Sequence, residues 1–418
     1  MTSIKKRFLV LCLALVTILS LAFGAAFIKS DLNANVSAEE ETNNKKYYYN
    51  HLTTTNSDGT KSEYTLAKKF YDVLESINEA GDFKKGKVSY ELSDVITSDQ
   101  IKGWVRDGVL DVPKAFSAAR DSFLMDHPEL FYVDLYKLTI SASYSSGVYS
   151  AYVDTGREAN VYRDKSFKNE ISVQSAIVTF NNKVEQIASA ATEAAEKDTT
   201  SVNKDLKLAK AVNEQIAKKV YYDFGTYNDA TSGEEVSISN LTFTSYGALV
   251  NNEAVCSGFA SAYKVVMDYL NIPCVMVSGY SKGKDQDGNN TKNDVGHSWN
   301  YVYLETTSKD SGTERTLAEN EEKSGEWFAF DTTWNSVNAN RNKYSAMDSM
   351  TAGREYIPDG VISSSGYELS YPALSSLNYN EAINPNTIAD REIETFGFNF
   401  KSKHEYKVDS DTYNVFFQ

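Results

Sequence analysis

The sequence predicts an α+β protein, and three observations carry that expectation. Apolar residues recur at helical spacing in five separate stretches, from Leu66–Ile77 to Phe259–Leu270. Three strand-like runs, "CVMVSGY", "HSWNYVYL" and "EWFAFD", follow the last of them. Polar loops join those runs, so the order is a helix and then strands able to pair antiparallel.

Taken in order, the first element is an export signal. Lys5, Lys6 and Arg7 precede an apolar run from Phe8 to Ile28, and Val36-Ser37-Ala38 offers a cleavage site before Glu39. Residues 1–38 therefore read as a signal peptide, and the protein as secreted or held at the cell surface. The run is also long enough to stay uncleaved as an anchor, the one route by which a membrane enters the reading. Residues 39–62 are polar and patternless and read as a linker. Loss of residues 1–38 would remove four cations and one acid and take the net charge from −15 to −18. Nucleic acid is then excluded as a partner, because phosphate binding needs clustered Lys and Arg.

Residues 63–198 form an N-terminal section of mixed helix and strand. Leu66, Phe70, Val73, Leu74 and Ile77 mark one helix, and Phe116, Ala119 and Phe123 mark another before "DHPELFYVD". "LTISASYSSGVYSAYVD" reads as a hairpin turning near Ser146-Gly147. Val184, Ile187 and Ala191 mark a third helix, and Val202, Leu206, Ala209, Ile216 and Val220 a fourth, whose lysine-rich face is solvated. The polar run between them places a domain boundary near residue 198. Residues 199–345 form the next section, and residues 346–418 form a C-terminal extension to which the pattern assigns no role. With 418 residues, 28 Tyr, 20 Phe and only six Pro, the chain has material for a folded core in more than one domain.

"EAVCSGFASAYKVVMDYL" places Cys256 at the start of the fifth helix. There, free backbone N–H groups and the positive end of the helix dipole favour a thiolate, and Gly258 would let a substrate approach. The other two cysteines differ. Cys12 lies in the signal, and Cys274 sits in a strand where it behaves as a small hydrophobe, which disfavours a 256–274 bridge. Of four histidines, only His297 opens a strand in the section that carries Cys256. Asp331 closes the next strand, so a hairpin would make the two neighbours, with Asp331 orienting the imidazole. Asp331 could instead cap a turn with Thr332 and Thr333. "DQDGNN" at 285–290 has the composition of a calcium loop, but its Gly is misplaced and it reads as a turn; no metal or cofactor is expected.

The ordered set "VCSGFA", "IPCVMVSGY", "GHSWNYV" and "FAFDTTWN" resembles the transglutaminase-like superfamily over roughly residues 200–345. The resemblance implies a papain-like core, a nucleophile helix packed on an antiparallel sheet. Carried over by motif, it makes Cys256 the nucleophile, His297 the general base and acid, and Asp331 the orienter. Substrates would be protein or peptide amides, cell-wall peptide among them, and the thioester would pass to water or to an amine. "DHPELFYVD" is similar to the extension of secreted bacterial members. One departure concerns the oxyanion: the animal crosslinking enzymes have a tryptophan upstream of the nucleophile, and no Trp lies between Trp104 and Cys256. Tyr246, with the Cys256 backbone N–H, stands in as the candidate. Trp299 and Trp334 are candidates for a substrate-cleft wall, with core packing as the alternative. A surface binding or adhesive module that keeps the fold without turnover is the rival of another class.

Overall fold

The computed structural model describes residues 45–55, 59–199, 203–227, 241–281, 295–306, 325–337, 341–359, 361–362, 367–376 and 379. Residues 1–38, on which the export expectation rests, "DQDGNN" and most of the C-terminal extension lie outside them. Helix α1 (Thr65–Glu79) buries Phe70, Tyr71, Val73, Leu74 and Ile77 on one face and ends at Gly81, whose φ of 73° closes the turn. Strand β1 (Ser89–Glu91) and helix α2 (Asp111–Asp126) follow, and α1 packs on α2. Strands β2 (Thr139–Ser145) and β3 (Val148–Asp154) form a hairpin whose turn residues, Ser146 and Gly147, both have positive φ. That is the conformation a two-residue hairpin needs.

The long helix α3 (Glu170–Lys197) starts at a capping box: Asn169 accepts from the Ser172 amide, and the Ser172 hydroxyl accepts from the Asn169 amide. Helix α4 (Lys204–Lys219), capped by Asn203, packs along α3. Two short strands, β4 (Tyr221–Tyr222) and β5 (Glu253–Ala254), pair in parallel directly before helix α5 (Cys256–Tyr269). Strands β6 (Cys274–Ser281), β7 (Val295–Glu305) and β8 (Gly325–Phe330) run antiparallel, and helices α6 (Thr332–Val337) and α7 (Ser349–Glu355) lead to strand β9 (Tyr356–Pro358). The sheet order is β8-β7-β6-β9, all neighbours antiparallel.

Helix α5 lies on β6 and β7 and also against α3 and α4, so nearly its whole circumference is buried, Lys264 included. The buried ammonium is matched by Asp268 at 2.9 Å and by the Cys274 carbonyl at 3.1 Å. Asn300 of β7 donates to the Ala260 carbonyl of α5 at 3.0 Å, which fixes helix against sheet.

Two sequence expectations change. The boundary near residue 198 does not divide the core: one hydrophobic cluster runs from Tyr48 to Tyr379, because α3 and α4 pack on each other and on α5. The polar run there marks only a connection between helices. Nor is 39–62 a linker where it is described, since Tyr48 and Leu52 are fully buried. The buried Asp126 carboxylate of α2 accepts from the backbone N–H groups of Tyr48 and Tyr49 and from the Tyr71 hydroxyl, and the Tyr48 hydroxyl donates to the Met276 carbonyl. Among the described residues no helix is long and apolar enough to cross a membrane.

Candidate active site

Cys256 is the first residue of α5. The β4–β5 pairing delivers the chain to it in extended form, and Val255, at φ −90° and ψ 178°, anchors the entry by donating its N–H to the Thr242 carbonyl at 3.0 Å. The thiol is half-buried at a helix start with no side-chain cap, where the Gly258 amide already turns back on the Val255 carbonyl at 2.9 Å and the positive end of the helix dipole lies at Cys256. Gly258 serves packing rather than substrate approach. A Cβ there would lie 2.4 Å from the Thr242 carbonyl oxygen and 2.7 Å from the Ala254 methyl, so only glycine lets α5 settle against this segment.

His297 lies on β7 opposite Gly279 of β6 and is buried. Its Nε2 meets the Asp331 Oδ2 at 2.7 Å, which leaves Nδ1 for the Cys256 thiol that hydrogen-bonds this ring. Burial pulls the imidazole pKa down. The charge and hydrogen bond of Asp331, and then those of Cys256, outweigh it and push the ring up to about 10. The imidazole is therefore set to hold a proton between a carboxylate and a sulfur.

Asp331 is fully buried at the end of β8. It combines the two readings its sequence context allowed. Its Oδ1 accepts from the Trp334 N–H at 2.9 Å and so caps α6, while Oδ2 holds His297 and also accepts from the Tyr356 hydroxyl at 2.8 Å. Its own N–H donates to the Tyr344 carbonyl at 2.8 Å. The carboxylate thus has no freedom to turn.

Aromatic rings enclose the imidazole. Trp299, Trp334 and Tyr356 lie with ring centres 5.9, 5.6 and 6.0 Å from it. Trp299 is 1% exposed and cannot line a cleft, so that expectation is corrected; it is a core residue because β7 is covered on both faces. Trp334 is half-buried and stays beside the site. Tyr246 is also corrected. Its ring packs on Phe131, Phe167 and Phe180 of the N-terminal section, and burial alone raises its pKa. Tyr222 and Tyr227 are the tyrosines that feel the Cys256 charge: burial first and that charge second raise both, Tyr227 to about 12. No spacing in the sequence marks either tyrosine; the parallel β4–β5 pairing and the stacking of Tyr222 on Phe259 of α5 bring Tyr222 toward Cys256.

Cys274 is free and fully buried at the start of β6, and burial drives its thiol pKa far up. Among the described residues no group of three His, Cys, Asp or Glu is placed to hold a metal ion.

Residues 191–332 match the sequence profile of the Transglutaminase-like superfamily, so Cys256, His297 and Asp331 fall inside the match and Tyr356 beyond it. The α+β architecture, with α5 packed on an antiparallel sheet, is that of a transglutaminase-like core. Among solved structures, a TGase is similar at 14% identity and a TM-score of 0.25, over 46% of this chain and 44% of its own. A protein from Cytophaga hutchinsonii, provisionally described as a cysteine protease, is similar at 16% identity and a TM-score of 0.21, over 47% of this chain and 62% of its own. The chain therefore spans less than two thirds of either. No curated protein matches it.

Proposed function

We propose that the protein is an exported thiol enzyme that transfers acyl groups from protein or peptide amides through a thioester on Cys256. The observation that carries this reading is the imidazole of His297, placed between the Cys256 thiol at a helix start and the Asp331 carboxylate at 2.7 Å. The Cys256 sulfur attacks the amide carbonyl carbon, and His297 gives its proton to the departing amine as the C–N bond breaks. Water or a lysine amine then attacks the thioester, His297 takes its proton, and the C–S bond breaks to restore the thiol. The Cys256 backbone N–H faces the developing oxyanion. Asp331 keeps the imidazole oriented and offsets its charge.

Substrates are proteins or peptides, cell-wall stem peptides included, with no nucleic acid partner, as the charge of −15 supports. The export reading rests on the basic and apolar N-terminal run, and secretion or display at the cell surface follows from it. Mass spectrometry after incubation with glutamine peptides and wall stem peptides tests the chemistry. An acyl adduct on Cys256 that hydroxylamine discharges, and that Cys256→Ala lacks, is the expected result. Turnover retained in Cys256→Ala would overturn the mechanism.

A further inference from the structure

Strand β9 lies beyond the 191–332 match and takes the fourth place in the sheet, where its three residues pair with Ser281, Tyr280 and Gly279 of β6. Two features of that pairing bear on the site. The first is Gly279, which faces Pro358 on one side and His297 on the other, so histidine, glycine and β9 stand in one row across the sheet. A Cβ at Gly279 would lie 2.2 Å from the Ile357 carbonyl oxygen and 2.7 Å from the Asp359 nitrogen. Only glycine lets β9 come this close.

The second is Tyr356. Its ring is 3% exposed, lies 12° from the plane of the His297 ring, and packs on Trp299 and Trp334 at 4.9 and 5.2 Å. A phenylalanine would fill this place as well. The hydroxyl, buried among aromatic rings, has to find a partner, and the partner is Asp331 Oδ2, the same oxygen that holds His297. A hydrogen bond to an ionised carboxylate in a buried site is among the stronger ones available.

We infer that Tyr356 is a positioning residue of the thiol site: its hydroxyl fixes the Asp331 carboxylate that orients His297, and β9 is thereby part of the catalytic unit. The assignment rests on the thiol-enzyme reading above. Two consequences follow. Without the hydroxyl, Asp331 is held by the Trp334 cap and His297 alone and gains freedom to turn. Its charge, no longer shared with a second donor, also bears more fully on the imidazolium and holds that proton more tightly.

The test is the rate of iodoacetamide alkylation of Cys256 against pH, in the full-length protein, for wild type and Tyr356→Phe. The titratable groups that bear on this cluster are Cys256, Asp331, Tyr222, Tyr344, Glu355 and Tyr356 itself. Wild type is expected to alkylate in a low-pH phase that opens below the ordinary thiol pKa of ~8.5 and whose upper limit, a step in rate, marks loss of the His297 proton. Tyr356→Phe, with the ring kept and melting nearly unchanged, should move that limit upward by about half a pH unit. In the Asp331→Asn background the same substitution should move nothing, since the two act as one unit. Should Tyr356→Phe prove too unstable to assay, Gly279→Ala, which keeps Tyr356 but forces β9 off the sheet, must give the upward move. An unchanged or lowered limit beside a normal wild-type phase overturns the assignment of Tyr356 alone. Absence of the low-pH phase in wild type overturns the thiol-enzyme reading and this assignment with it.

Discussion

Cys256 and Cys274 carry the same thiol in opposite surroundings. One is half-buried at a helix start beside an imidazole, and the other is sealed inside the sheet, where burial disfavours its thiolate. Cys274→Ala is therefore expected to cost roughly 1–2 kcal/mol of stability, as a small buried truncation does, and to spare turnover. Melting temperature and rate measured together check this, and lost turnover at unchanged stability would contradict it. Asp331→Asn should behave differently. Aspartate offers two acceptor oxygens, engaged by Trp334 on one side and by His297 and Tyr356 on the other, and asparagine offers one. The rate is expected to fall by roughly 10- to 10³-fold, and the melting temperature by several degrees. A rate loss no greater than the loss of folded protein would reduce Asp331 to a cap. The meeting of Cys256, His297 and Asp331 was legible because a helix start, a strand start and a strand end are local features. Where a ring points is not local. The place of Tyr246 upstream of Cys256 suggests the oxyanion, yet its ring belongs with Phe131 and Phe180, while Tyr222 and Tyr356 reach the site through pairings that no spacing records.

At the scale of elements, the long helices and the β2–β3 hairpin follow directly from periodicity and turn residues. Strand β9 does not, because three residues carry no period and its place depends on Gly279 in a distant strand. The end of α2 holds another consequence of packing. His127 caps that helix with its ring 4.2 Å from Phe123, its Nδ1 2.8 Å from Glu129 and its Nε2 3.7 Å from Glu75. Burial lowers its pKa, but Glu129, then Glu75 and Asp126, raise it to about 10. A histidine raised in this way stabilises the fold fully below its unfolded pKa of ~6.5, and the contribution is lost as pH rises through the folded value. The melting temperature should thus decline from pH ~6.5 toward 10, and His127→Gln should flatten that decline. An equal slope in both proteins would show that His127 carries none of it.

At the scale of the whole molecule, the core that the described residues share is the main departure from what the sequence suggests. A polar run between two helices suggests a domain boundary, although polarity there says nothing of how the flanking helices pack, and α3 and α4 pack on each other and on α5. Continuity comes from contacts distant in sequence: Tyr48 with Met276 and Asp126, and the Ser245 hydroxyl with the Pro128 carbonyl at 2.6 Å. Tyr48→Ala is accordingly expected to cost roughly 3–5 kcal/mol, as large aromatic truncations in cores do, and to lower one cooperative transition that includes the site. Two transitions, with the site melting at its original temperature, would contradict a shared core. The core and sheet together bring the His297 imidazole between the Cys256 thiol and the Asp331 carboxylate, and the proposed chemistry depends on that arrangement. The most direct test is the alkylation rate of Cys256 at pH ~6 in wild type and His297→Ala, set against a free thiol of pKa ~8.5. Cys256 of the wild type should react far faster than the free thiol, and His297→Ala should abolish the excess. A wild-type rate that matches the free thiol and ignores His297→Ala would contradict the account.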